Sequence, residues 1–154
     1  PGEFAYTPTT SGNIITNTEV AFYLLEASAR FGIGGVPADL YENAITFSFL
    51  EWGLTSADAQ NYISNHPYDA TNWKKSVGEQ AWVAMYNQPL TSWNFWRRLD
   101  YPVLQPASAA TISSVPVRMS YPASEYQTNS SNVSAASTAI GGDLLTTKVF
   151  WDKN

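Results

Sequence analysis

The chain has 154 residues, a net charge of −5, no cysteine and one histidine. That length suits a single domain, while the composition excludes a disulfide scaffold, a thiolate zinc site, a cysteine nucleophile and a two-histidine metal site. Thirteen acidic against eight basic residues argue against nucleic acid, which needs a basic surface.

Charged residues make up only 14% of the chain, against roughly 25% in an average soluble domain. Aromatics also reach 14%, with six Trp and nine Tyr. Such a surface fits a partner interface or a sugar-stacking site, and a large aromatic core fits as well. The opening PGEFAYTPTT lacks the basic and apolar regions of a signal peptide. No apolar run approaches the ~18 residues of a membrane helix. Pro1 rather than Met opens the chain, as expected of a processed chain or one cut from something larger.

Thr16 to Glu19 forms a capping-box pattern, with Ile15 and Val20 placed as a hydrophobic staple. Val20, Tyr23, Leu24, Ala27 and Phe31 then follow helical spacing, and Ala21, Leu25 and Ser28 make a smaller second face. Gly32, Gly34 and Gly35 end this helix. Pro37 opens a second helix that carries Leu40, Tyr41, Ala44, Ile45, Phe47 and Leu50 to Trp52 and stops at Gly53. Together they predict an antiparallel helical hairpin over 14–53, like one tetratricopeptide-type unit. A single unit cannot bury both faces, so the Val20/Leu24 helix is expected to expose an apolar face unless an upstream segment covers it.

Further helices are expected over 54–100. One starts at Thr55–Asp58 and runs to about Ile63. A longer one runs from about Asn72 through Val77, Ala81, Ala84 and Met85 to Asn87, where Pro89 prevents continuation. Thr91 or Ser92 caps a brief amphipathic helix holding Trp93, Trp96 and Leu99. Residues 101–154 read as a loop-rich tail. Ser114–Met119 is a candidate short strand, Pro122 to about Asn132 a brief helix, residues 128–142 an exposed loop, and Thr146–Trp151 an extended segment with Val149 and Trp151 inward. The expected class is mainly α with little strand.

Chemistry is sparse. Nucleophilic triads fail, because no G-x-S-x-G exists and His66 lies in a loop beside Pro67. Glu19 and Glu26 share a helix face and are the pair to test for glycoside hydrolysis, but a cap and helix-stack hydrogen bonds account for them. Calcium and phosphate loops are absent. Arg97 and Arg98 beside Trp93 and Trp96 suit a sugar or anion clamp. The favoured reading is a structural tie to the following loop, where helix-end carbonyls need donors. Trp52, Tyr62, Tyr68 and Trp73 surround the loop 53–72, with Asn61, Asn65, Asp69 and Asn72 in the same stretch. Sugars stack on such rings while Asn and Asp bind hydroxyls. The bland alternative places these rings in core or interface.

At GEQAWVAMYNQPLTSWNFWRRLDYPVL, VPVRMSYPASEYQTN and KVFWD the chain meets a family pattern. Its blocks are Glu19 with Glu26-Ala27-Ser28; Gln80, Trp82 and Ala84; Trp93, Arg97, Arg98 and Pro102; then Pro116, Arg118, Tyr121, Pro122 and Glu125; then Asn129, Asn132 and Trp151-Asp152. In this order and spacing the chain resembles the C-terminal part of the SusD/RagB family, more narrowly its SusD-like subgroup. The resemblance implies a surface lipoprotein of Bacteroidetes outer membranes that captures oligosaccharide for a SusC-like TonB-dependent transporter. It implies a mostly helical fold built round tetratricopeptide-like units, with the anchor and first units in an upstream part of the same protein. No catalytic residue, metal or cofactor is implied. Gln80, Trp82, Trp93, Arg97, Arg98 and Arg118 match as structural motif residues: Gln80 and Trp82 in helix packing, the arginines tying helix ends to loops. Glycan contacts vary within the family, so the candidate ligand residues remain Trp52, Tyr62, Tyr68 and Trp73. The competing expectation is a structural fragment that completes the scaffold and has no ligand site of its own.

Overall fold

The computed structural model describes residues 6–9 and 12–152. The opening PGEFAYTPTT, including Pro1, lies largely outside the described residues. Among them the chain forms seven helices and no strand, a mainly α architecture. None of these helices is long and apolar enough to cross a membrane.

α1 (Asn17–Phe31) starts where Thr16 accepts a hydrogen bond from the Glu19 amide at 3.1 Å. The return arm of the expected box is not made, because the Glu19 carboxylate accepts instead from the Tyr23 hydroxyl at 2.8 Å. Gly32 ends the helix in the left-handed region at φ 69°, which costs glycine least. α2 (Pro37–Glu51) begins at a proline whose missing N–H costs nothing there. The Thr18 hydroxyl donates to the Glu51 carboxylate at 2.5 Å and the Ser28 hydroxyl to the Gly35 carbonyl at 2.6 Å. Bonds at both ends set the two helices antiparallel.

α3 (Ser56–Asn65) opens with a complete capping box, in which the Thr55 amide donates to Asp58 at 2.9 Å and the Asp58 amide to Thr55 at 3.2 Å. α4 spans Trp73–Ala84 and α5 spans Pro89–Leu99. α5 starts at Pro89 rather than at a Thr91 or Ser92 cap: the proline that stops one helix supplies the first position of the next. Asp100, at φ 62°, turns the chain back. Gly78 then lets that chain lie directly on α4, since a Cβ there would meet the Tyr101 Cβ at 2.8 Å and its carbonyl oxygen at 2.9 Å.

The core lies between α1, α2, α4 and α5. Phe22, Leu25, Tyr41, Ile45, Val77, Ala81, Met85, Phe95 and Leu99 are buried there. Phe22 meets Phe95 edge-on at 6.2 Å. α1 turns the face with Ala21, Phe22, Leu25 and Ser28 inward and leaves Val20, Leu24 (47% exposed) and Phe31 outside. The longer apolar stripe is thus the uncovered one: small Ala21 and Ser28 allow α2 to approach closely, and Phe22 fills the space behind.

The tail holds more helix than its composition suggests. α6 covers Ala123–Thr128 and α7 Ser130–Ala139, so most of the expected 128–142 loop is helical. Ala135, Ala136 and Ala139 are strong helix formers, and Val133 is buried. Ser114–Met119 forms no strand. The amides of Val117 and Arg118 both donate to one acceptor, the Leu145 carbonyl, at 2.8 and 3.2 Å, a single crossing point in place of a ladder. The end is turned rather than extended, with the Thr147 amide on the Leu144 carbonyl and the Asp152 amide on the Val149 carbonyl. Val149 is half-buried, while Trp151 keeps 44% of its surface exposed.

Candidate functional site

Of the four candidate ligand rings, the structure keeps only Trp52 widely open. Tyr62 is half-buried between Phe49, at 5.5 Å, and the His66 ring, stacked at 4.1 Å. Its hydroxyl donates to the Gln80 side chain at 3.0 Å, which links α3 to α4. Tyr68 lies against Tyr41 at 5.5 Å, and Tyr41 donates to the His66 carbonyl at 2.8 Å. Burial, then the nearby Tyr62 and Glu79, pushes the Tyr41 hydroxyl up to about 12. Trp73 sits under the Arg30 guanidinium at 5.3 Å. Tyr62 and Tyr68 therefore join one knot through Tyr41 and His66, while Trp73 and Trp52 stand apart from it. Asp69 organises the following loop: bonds from the Asn72 side chain and the Thr71 and Asn72 amides hold its carboxyl below the usual range.

Trp52 caps α2 and is 50% exposed. Its ring meets Tyr86, just past α4, at 6.3 Å and 65°. Tyr86 is 82% exposed. The two rings form an open aromatic corner. A cleft of about 130 Å³, lined by neither of these rings, opens between α1, α2, α3 and α4. Phe49 and Val83 line it, one helical turn from Trp52 and Tyr86 respectively. Sequence reading missed Tyr86 because the expected helix ran on to Asn87, which hid the residue within a regular turn.

The motif residues have other surroundings. Arg97, 9% exposed, lies between the Trp93 ring at 4.8 Å and the Trp151 ring at 4.4 Å. Its Nε and Nη2 are buried without hydrogen-bond partners. Burial lowers the pKa of its guanidinium, and Asp152 partly offsets that. Asp152 Oδ1 faces the Lys148 ammonium at 3.5 Å but accepts no hydrogen bond. Trp93 donates to the Pro116 carbonyl at 3.4 Å, and Trp96 to the Pro102 carbonyl at 3.0 Å. Arg98 reaches another helix rather than a loop: its Nε and Nη2 donate to Glu26 of α1, the shortest bond being 2.9 Å. Arg30 adds a third donor at 3.3 Å. Arg118 holds Asp143 at 2.7 Å, and Asp143 also accepts from the Tyr121 amide and the Tyr126 hydroxyl. Trp82 is half-buried on α4. Glu19 and Glu26 are both engaged as acceptors, by Tyr23 and by the two arginines. Among the described residues no group of three or more His, Asp or Glu is placed to hold a metal ion.

The model of the family described as "Starch-binding associating with outer membrane" matches residues 4–122. The chain belongs to the SusD-like family. Among solved structures, "Bacteroidetes AC2a SusD-like" matches with a TM-score of 0.79 at 25% identity, over 93% of this chain and 31% of that one. A chitin-binding protein matches at 0.74 and 31% identity, over 90% and 33%. A chitin-binding SusD homolog from Flavobacterium johnsoniae matches at 0.72 and 27% identity, over 92% and 36%. This SusD-like chain thus spans about a third of the length of these structures. A comparison with curated proteins returns no match.

Proposed function

We propose that this chain is the C-terminal part of a non-catalytic carbohydrate-binding protein. The protein captures oligosaccharide at the outer membrane for uptake through a SusC-like TonB-dependent transporter, with a lipid anchor in its upstream part. The observation that carries this is the open indole of Trp52 beside Tyr86, on a chain of a family described as starch-binding. Two similar structures are named as chitin-binding. Aromatic faces that stay wet while a full core exists elsewhere suit sugar rings, whose C–H faces are apolar and whose rims are polar. Among the four proposed ligand rings, Trp52 is the best placed; Tyr62, Tyr68 and Trp73 serve as flanking or supporting rings. The test is tryptophan fluorescence during titration with a panel of oligosaccharides. A saturable change with at least one glycan is expected, and a flat response to all of them refutes the proposal.

A second reading, a scaffold fragment without its own ligand site, is favoured by one observation. Val20, Leu24 and Phe31 leave a continuous apolar stripe on α1, as expected of a helix on which another unit stacks. Both roles can belong to one protein, since the stripe and the Trp52 corner use different helix faces.

A further inference from the structure

We propose that the groove between the start of α1 and the end of α2 is a docking point for a lysine side chain carried by a partner polypeptide. Neither Trp52 nor Tyr86 lines this groove, and the inference does not depend on the glycan reading.

The groove has a volume of about 530 Å³, within the roughly 300–1,000 Å³ of sites that take a small ligand. Among the described residues that line it, Glu51 alone is charged. That carboxylate is oriented. Thr18, 1% exposed, donates its hydroxyl to Glu51 Oε2 at 2.5 Å. Oε2 is thereby held against α1, and Oε1 is left for a second donor. Asn13 and Asn17 bring carboxamides to the same groove, and each can accept through its oxygen. A carboxylate with carboxamide oxygens beside it calls for a cationic donor.

The rest of the lining selects the body of that cation. Ile15 and Leu50 are exposed, and the half-buried Phe47 completes the apolar side. A bare ammonium would leave these three unused. A lysine lays its methylene stem along apolar surface and carries its charge at the end. Arginine fits less well. Its guanidinium fork seeks both oxygens of a carboxylate, and one is already engaged. The compact ammonium of lysine needs only one.

Position points to a polypeptide as the carrier. Val20, the first residue of the exposed α1 stripe, lies one turn beyond Thr16 in the groove wall. Groove and stripe are therefore neighbours on α1. A segment that covers Val20 and Leu24 passes the groove and sets a lysine into it.

The test is an NMR titration of the full chain with Nα-acetyl-lysine N-methylamide and with its norleucine and arginine analogues. The norleucine compound keeps the stem without the charge. Glucosamine, an ammonium without a stem, is the fourth probe. We expect the lysine compound to shift the Thr18 and Leu50 amides and to bind about three- to fivefold more tightly than the norleucine one, as a partly exposed ion pair allows. Arginine and glucosamine bind more weakly than lysine. Glu51→Gln keeps an acceptor for Thr18 but removes the charge, and it erases the advantage over norleucine while circular dichroism is unchanged. Equal affinity for the lysine and norleucine compounds, or an advantage that survives Glu51→Gln, overturns the site. A tighter arginine compound overturns the choice of lysine. Glucosamine binding as tightly as the lysine compound overturns the polypeptide carrier. Absence of any saturable shift at Thr18 and Leu50 overturns the proposal as a whole.

Discussion

Two tryptophan-rich regions of this chain use the same side chain in opposite ways. At the Trp93–Trp151 stack both rings face Arg97, at 4.8 and 4.4 Å. Their faces are occupied from within, and they fasten the tail to α5. At the Trp52–Tyr86 corner the rings meet edge to face, no cation among the described residues lies over them, and both stay widely exposed. A cation between rings makes an internal clamp; its absence leaves a surface free for an external partner. Aromatic abundance alone therefore says little about binding, and what occupies each ring face decides.

The sharpest way to break this comparison is to truncate one tryptophan in each region. Trp93→Ala removes a ring from Arg97 and a hydrogen bond to Pro116, and is expected to cost about 3 kcal/mol of stability in a denaturant melt. Glu26→Gln comes next. It weakens the acceptor of Arg98 and Arg30 and is expected to cost about 1.5–3 kcal/mol by the same assay. Loosening of the α1–α5 contact with glycan binding unchanged would keep clamp and corner separate.

Acid should release the tail before the helical scaffold. Burial raises the Asp143 pKa, but the bonds from Tyr126, the Tyr121 amide and Arg118 outweigh it and hold the carboxyl below its ordinary 3.8. Its contribution is therefore fully present above that ordinary value and is lost as pH falls through the lowered one. Hydrogen exchange over α6 and α7 is expected to rise in that window while Phe22 and Leu25 on α1 stay protected. Asp143→Asn should show the exchange at neutral pH and lose the acid step. The smallest stability effect belongs to Trp52→Ala, within about 0.5 kcal/mol, because the ring is exposed. A loss as large as that of Trp93→Ala would mean that the corner too is structural.

Much of the scaffold was legible in the sequence. Thr16, Gly32, Pro37 and the Thr55–Asp58 box marked helix ends because capping is local chemistry. The tail was less legible. Its second helix rests on alanines hidden among Ser and Thr, and its turns depend on one carbonyl, Leu145, that no pattern reveals. The exposed Val20/Leu24 stripe of α1 was legible as well, because a single helical hairpin leaves one face without a stacking neighbour. At the candidate site, Trp52 was named as one of the rings around the loop 53–72. Tyr86 was not, because its partnership with Trp52 spans two helices. For the arginines, sequence pointed to a structural tie to the following loop but not to its partners, which are the two ring faces around Arg97 and, for Arg98, Glu26 of α1.

The most direct measurement is an NMR titration of the indole N–H signals, one for each of the six tryptophans, with the oligosaccharide that binds most tightly. The account predicts that the Trp52 signal shifts and saturates while those of Trp93, Trp96 and Trp151 hold still. Shifts concentrated at Trp93 and Trp151, with Trp52 unmoved, would contradict it.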